Sequence, residues 1–229
     1  MSLHRPIVAY WVRGADYQEL ADLSAQSVRK VHPNADIRII TDDGSRPAMV
    51  ANLDAQLSVI WKAQRGAPIL FLDVDTLIRK PFPFGEADLT VTWRDHVGYT
   101  NGEKVSGVAE LMPFNYGVLG VRAYERTYEA FQWMRAQVLK MSPQHQAWYG
   151  NQLALAALVG SHPESGERDS EARARWSLTD TGTLLKVKQL PCEVWNYTPA
   201  SDSENVREKG LLHFKGNRKD WMAHYARCA

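Results

Sequence analysis

ILFLDVDTLIRKPF, residues 69–82, runs an apolar stretch straight into two carboxylates one residue apart. Side chains alternate along a strand, so Asp73 and Asp75 fall on the same face with Val74 between them. In open α/β sheets ligands gather at the carboxyl ends of the strands. A buried strand that ends there in two carboxylates suits a hard divalent cation such as Mg²⁺ or Mn²⁺, which takes oxygen ligands and reaches a protein through one or two carboxylates plus substrate phosphates. On the tripeptide alone a plainer reading stands beside this one: one Asp caps a turn and the other is solvated.

The segments around the motif give it a place in a fold. Residues 6–12, PIVAYWV, read as a buried strand. Asp16 stands where a helix cap belongs, with Glu19 three residues on, and Leu20, Leu23, Ser27, Val28 and Val31 follow at helical spacing. Pro33-Asn34 breaks that helix, and residues 36–41, DIRIIT, form the next strand. Met49, Val50, Leu53, Leu57, Ile60 and Trp61 mark a second amphipathic helix that ends near Gly66. Strand, helix, strand, helix, strand argues a parallel sheet with crossover helices. Further on, residues 88–93 and 115–121 read as strands, and Tyr124 to Met141 and Trp148 to Val159 as helices. TLLKVKQL and KGLLHF read as short late strands. The polar stretches 94–110 and 161–175 read as excursions, and loops on a rigid scaffold are where binding specificity or a lid belongs.

With 45% apolar residues, 23% charged residues and a net charge of +1 over 229 residues, the composition is that of a globular domain. It gives no sign of a nucleic-acid or membrane-surface partner. Two cysteines, Cys192 and Cys228, make no disulfide framework, and with no span-length apolar run they set the expectation of a cytoplasmic protein.

A second dense stretch is LLHFKGNRKDW, residues 211–221. His213 follows a strand, Gly216 allows backbone to approach an anion, and Lys219 brings a flexible cation. A metal ligand, a permissive backbone and a Lys within seven residues fit a diphosphate held by a metal. A hydrogen-bonded structural His is the commoner reading of such a residue taken by itself. Asp-x-Asp after a strand also opens the haloacid-dehalogenase-like phosphatases, with Asp73 as nucleophile. That pattern wants Thr or Val where Leu77 stands, and it lies on the first strand of its domain rather than the third.

Taken together, four segments resemble glycosyltransferase family 8, the glycogenin-like and bacterial galactosyltransferase-like enzymes of the GT-A fold. ILFLDVDTLIRKPF is similar to their Asp-x-Asp strand with its basic-Pro-Phe turn. FNYGVLGVR (114–122) is similar to their Phe-Asn-Ser/Ala-Gly-Val strand. LPCEVWNY (190–197) resembles their Leu-Pro…Trp-Asn segment, and His213, Gly216, Lys219 and Trp221 match their late His-x-x-Gly-x-x-Lys-Pro-Trp, with Asp220 in place of Pro. The resemblance runs from about residue 6 to residue 222.

It implies an α/β fold with a mixed, mainly parallel GT-A-type sheet flanked by helices and a Rossmann-like N-terminal half. One domain would span residues 1–229, with a nucleotide- and metal-binding half in 1–120 and an acceptor half with the closing motif in 121–229. It implies a metal-dependent hexosyltransferase that moves a hexose from a UDP-sugar to a glycan or other hydroxyl acceptor, with retention. Asp73, Asp75 and His213 would bind Mn²⁺ or Mg²⁺. Lys219 and the backbone at Gly216 would hold the diphosphate, and Tyr17 would pack on the base. Asn115 would face the donor sugar, with Gln152 and Asn151 near the reaction centre. The chain departs from the family at Asn151, where the family carries Asp; an amide hydrogen-bonds but accepts no proton at neutral pH. The family's basic residue on the helix before the Asp-x-Asp strand has only Lys62 and Arg65 nearby. A phosphatase using Asp73 and a non-catalytic sugar-nucleotide binder are the alternatives.

Overall fold

Every residue of Pro68–Leu72 is buried, as expected of a strand covered on both faces, and the rest of the architecture is arranged around it. The computed structural model describes residues 4–94, 99–100, 103–104, 112–160, 173–178 and 184–227. In chain order the elements are β1 (Ile7–Arg13), α1 (Gln18–Val31), β2 (Asp36–Asp42), α2 (Ala48–Lys62), β3 (Pro68–Leu72), β4 (Thr76–Ile78) and β5 (Leu89–Trp93). The short pair β6 (Tyr99–Thr100) and β7 (Glu103–Lys104) precedes β8 (Phe114–Arg122), α3 (Glu125–Lys140), α4 (Pro143–Ala147) and α5 (Gly150–Val159). Then come β9 (Arg173–Leu178), β10 (Leu184–Pro191), α6 (Cys192–Trp195), β11 (Leu211–His213), a 3₁₀ turn Gly216–Trp221 and α7 (Met222–Arg227).

The main sheet has seven strands in the order β2-β1-β3-β8-β5-β10-β9. Five of them share one direction, and β8 and β9 run against it. The mixed, mainly parallel α/β sheet of the GT-A type is therefore present. From β1 the chain pairs outward to β2 on one side and to β3 on the other. Such a reversal of strand order opens a crevice at the carboxyl ends of the two strands. Helix α1 packs on one face, its Ala21, Ala25 and Val28 joining Val8, Tyr10 and Leu70. Helices α2, α3 and α5 cover the other, where Leu53, Phe131 and Leu155 meet Ile69, Phe71 and Leu119.

Two local departures from the sequence reading have physical causes. Asp16 is not the cap of α1. Gly14, at φ 90°, opens a 3₁₀ turn over Ala15–Tyr17 and defers the helix to Gln18. The stretch 161–175, read as a solvated excursion, contributes residues 173–175 to β9, whose antiparallel partner is β10; residues 161–172 lie outside the described residues. Of 94–110, the described part is Arg94 and the two short strands. Among the described residues no helix is long and apolar enough to cross a membrane.

Candidate functional site

The carboxyl end of β3 is fixed by a bond to its antiparallel neighbour: Asp73 N–H donates to Gly117 O of β8 at 2.9 Å. The chain then turns, with Thr76 Oγ1 donating back to Asp73 O at 2.8 Å, and enters β4. That strand pairs antiparallel with β11 so that Thr76 lies opposite His213, and Phe214 N–H donates to Asp75 O at 2.8 Å. This small ladder brings His213, about 140 residues away in sequence, over the two aspartates. Its Nε2 is 3.1 Å from Asp75 Oδ1 and 3.5 Å from Asp73 Oδ2. One ligand atom from each of Asp73, Asp75 and His213 falls within 4.8 Å of the others. Two carboxylate oxygens and an imidazole nitrogen form a donor set that a divalent cation accepts.

The imidazole is oriented from behind. Nδ1 lies 2.8 Å from Asn196 Oδ1, Asn196 Nδ2 donates to Thr92 Oγ1 at 2.7 Å, and Thr92 Oγ1 donates to Asn115 O at 3.1 Å. The amide's donor end is thus committed to Thr92, so its oxygen faces the ring. With a cation bound between the carboxylates, this arrangement would keep a proton on Nδ1 and leave Nε2 to face the ion. A second hydrogen bond of this kind typically holds a metal-ligating His in orientation. Asn196 belongs to the LPCEVWNY segment, yet residue type alone gave it no task; only the contact with His213 does.

The carboxylates titrate in opposite senses. Asp75 is buried, which works to raise it, but His213 and then Lys219, whose Nζ lies 3.0 Å from Oδ2, hold it well below the ordinary carboxylate range. Asp73 is pushed up by withdrawal from water among the cleft walls; His213 pulls it down and Asp75 adds to the rise. Its side chain keeps 52% of its surface open to the cleft, so its desolvation is partial.

These groups line one cleft of about 500 Å³. All nine residues singled out in the sequence line it: Asp73, Asp75, His213, Gly216, Lys219, Tyr17, Asn115, Asn151 and Gln152. Gly216 has φ 61°, and a Cβ there would meet nothing within 4 Å, so glycine serves the left-handed backbone. Tyr17 is exposed where the 3₁₀ turn hands over to α1. Asn115 is buried; its Oδ1 accepts from Gly117 N–H at 3.0 Å, whereas its Nδ2 has no partner among the described residues. Asn151 Nδ2 reaches Asn52 Oδ1 at 3.3 Å. Gln152 Oε1 accepts from Tyr116 N–H at 3.1 Å and from Arg94 Nη2 at 3.3 Å.

Lys62 and Arg65 do not reach this cleft. They precede β3, and the site lies at the far end of that strand, about 17 Å away for five residues. Arg94, just past β5, and Lys215 bring cations instead. Burial and the neighbouring Arg94 guanidinium push the Lys215 ammonium down to about 8. Sequence reading missed both: Arg94 belongs to no motif, and Lys215 stands at an unspecified position between His213 and Gly216. Trp11 was read only as a strand residue, yet it lines the cleft with a buried Nε1–H that has no partner among the described residues.

Three outcomes follow from this geometry. A Cβ on Gly117 would collide with the His213 ring and sit 2.6 Å from Asp73 Oδ2; Gly117→Ala lowers Mn²⁺ affinity at least about tenfold by titration calorimetry, since such a clash displaces ligands. Asn196→Ala costs about 10–100-fold in Mn²⁺ affinity, whereas Asn196→Asp, which keeps an acceptor toward Nδ1, costs less. The folded state raises Asp73 and lowers Asp75, so ionised Asp75 favours folding whereas ionised Asp73 opposes it, and the contribution of Asp73 alone to metal-free stability falls as pH rises through the carboxylate range. Asp73→Asn therefore raises the melting temperature in EDTA by about 2 °C or less, since the side chain is half open to water, and the variant shows no further rise when a divalent cation is added.

No protein-family model matches the sequence, and no curated protein does. Solved structures do match. A glycosyltransferase involved in the glycosylation of the major capsid of PBCV-1 superimposes with a TM-score of 0.57 at 11% identity, covering 98% of this chain and 100% of that one. An active-site mutant of LgtC gives 0.53 at 14% identity, over 96% and 95% of the two chains. GlyE of Streptococcus pneumoniae TIGR4 gives 0.54 at 12% identity, over 97% of this chain and 60% of that one. Over almost its whole length the chain has the fold of GT-A-type glycosyltransferases.

Proposed function

We propose that this chain is a metal-dependent glycosyltransferase that moves a hexose from a nucleotide diphosphate sugar, a UDP-sugar, to a hydroxyl of a glycan or other acceptor, with retention at the anomeric carbon. The observation that carries the reading is the Asp73–Asp75–His213 constellation, oriented by Asn196, at the carboxyl end of β3 in a fold shared with glycosyltransferases. As the glycosidic bond breaks, negative charge grows on the departing diphosphate, and a divalent cation held by these three side chains supplies the positive charge that offsets it.

The chain's own groups take the remaining tasks. Lys219, already at 3.0 Å from Asp75 Oδ2, offers its ammonium to a phosphate oxygen, and the left-handed backbone at Gly216 leaves room for the diphosphate. Tyr17 and Trp11, toward β1, flank the nucleotide. Asn115, with its buried unpartnered Nδ2, donates to a hydroxyl of the donor sugar and thereby satisfies an otherwise costly buried donor. Gln152 and Asn151 position the reacting groups as neutral amides. Residues 1–120 then form the nucleotide and metal half of one unit, and 121–229 the acceptor half with the closing motif. Asn151 favours a second reading, a sugar-nucleotide binder without turnover: no acid other than Asp73 and Asp75 is among the described residues lining the cleft.

Titration calorimetry of UDP and GDP, with and without Mn²⁺, tests the proposal on the unaltered protein and on Asp75→Ala. The expected result is Mn²⁺-dependent UDP binding that weakens at least about tenfold in the variant, as loss of a metal ligand demands. Absence of nucleotide binding under every metal condition overturns it, and phosphate release from simple esters would then point to the phosphatase. UDP binding without any UDP release from UDP-glucose or UDP-galactose, given glycan acceptors, selects the binder.

A further inference from the structure

Helices α2 and α3 lie side by side in opposite directions, so that Trp61 meets Tyr128 near one end of the pair and Asp54 meets Arg135 further along. Their inner sides pack on the sheet, and their outer sides enclose a groove of about 460 Å³. None of the described residues lining this groove lines the cleft. Helix α2 serves both, with Met49 in the cleft wall and Trp61 in the groove, about 18 Å apart along its axis.

Trp61 is 73% exposed. A solitary exposed apolar side chain is ordinary, but Trp61 is not solitary. The Tyr128 ring stands 5.3 Å from its ring at 47°, and the two make a cupped aromatic floor at one end of a concave surface. Tyr128 is itself packed against the core, so the cup is anchored from below. Ser58 lies one helical turn from Trp61, and Gln132 one turn from Tyr128. They bring a hydroxyl and an amide, neutral groups able to donate and to accept, to the edge of the cup. The Asp54 carboxylate is engaged within the protein, by Arg135 Nε and Nη2 and by Arg46 Nη1. From Tyr128 to Leu139 the groove follows α3 for about 16 Å.

This make-up narrows the occupant. The negative face of an aromatic ring attracts polarised C–H groups, and a few polar groups set beside such surface fix the orientation of a small molecule. A pyranose ring meets both, with C–H groups on its face and hydroxyls around its edge. A second protein surface would instead close over the Asp54–Arg135 pair and withdraw it from water, a cost that the attraction between the charges often fails to repay. A sugar chain covers Trp61 and leaves the outer side of that pair wet. We propose that the α2–α3 groove is a carbohydrate-binding site separate from the cleft, holding an oligosaccharide with one sugar ring stacked on Trp61 and hydroxyls bonded to Ser58 and Gln132. Binding there uses no cleft residue and so stands apart from the function proposed above.

The test is calorimetric titration of maltohexaose, cellohexaose and chitohexaose into the whole protein and into its variants. At least one of the three binds the unaltered protein. Trp61→Ala weakens that binding about tenfold or more, the scale of losing a stacked indole, and Trp61→Phe, which keeps a ring, loses less. Gln132→Ala costs about threefold, as loss of one neutral hydrogen bond does. Asp75→Ala, at a distant site, leaves the affinity within about twofold. Because Trp61 is exposed, Trp61→Ala keeps the melting temperature within about 2 °C. No binding of any of the three, or binding that Trp61→Ala leaves unchanged, overturns the inference. So does binding lost in Asp75→Ala or displaced by UDP with Mn²⁺, which would put the sugar in the cleft. A dimer that Trp61→Ala dissolves, with no sugar bound by the unaltered protein, overturns it too and makes the groove an interface between copies of this chain.

Discussion

Two carboxylates that share one floor repel each other, and everything around Asp73 and Asp75 can be understood as a response to that repulsion. Asp75 is buried, so solvent screens it weakly, whereas Asp73 opens to the cleft. Asp75 is relieved by His213 at 3.1 Å and Lys219 at 3.0 Å, and it stays ionised. Asp73 is raised chiefly by its withdrawal from water, with the charge of Asp75 adding to the rise. A divalent ion is the one partner that satisfies both at once. Stability and function pull in opposite directions here, as they commonly do where a fold must keep like charges together.

The convergence depends on elements that look minor. β4 and β11 are three residues each, yet their pairing sets Thr76 opposite His213 and so decides where the imidazole lands. Gly117 works from the other wall, where only the lack of a side chain leaves room for His213 and Asp73 together. Behind these, the series His213–Asn196–Thr92–Asn115 ties the last strand to the middle of the sheet. The ring that faces the aspartates and the amide that faces the cleft are thereby held by one set of hydrogen bonds.

The sheet and its flanking helices were legible because apolar periodicity is a property of neighbouring residues. PIVAYWV, DIRIIT and the strand before Asp73 each declare themselves within seven residues. The candidate metal-binding residues were legible because they sit in short motifs with a resemblance behind them. Arg94 and Lys215 were not. A lone cation gives no periodic signal, and its meaning comes from strands that are adjacent in space and not in sequence, as β5 and β8 are. Asn196 was hidden for the same reason: its segment was recognised, but its partner lies 17 residues on. Asp16 misled because a Ser/Thr/Asp cap followed by Glu is a local rule, and the positive φ of Gly14 overrode it.

β8 runs against its neighbours, and its first residues pair with the last ones of β5, Phe114 opposite Trp93. The chain between these strands therefore leaves from the rim of the cleft and returns to it, while the pairs that hold the sheet lie outside that interval. Length and composition there can drift without disturbing the register of a single buried strand. The antiparallel strand works as a socket: the floor of the cleft is set by pairs outside the interval that joins β5 to β8. A fold with this arrangement can exchange one contiguous piece of sequence without moving its buried strands.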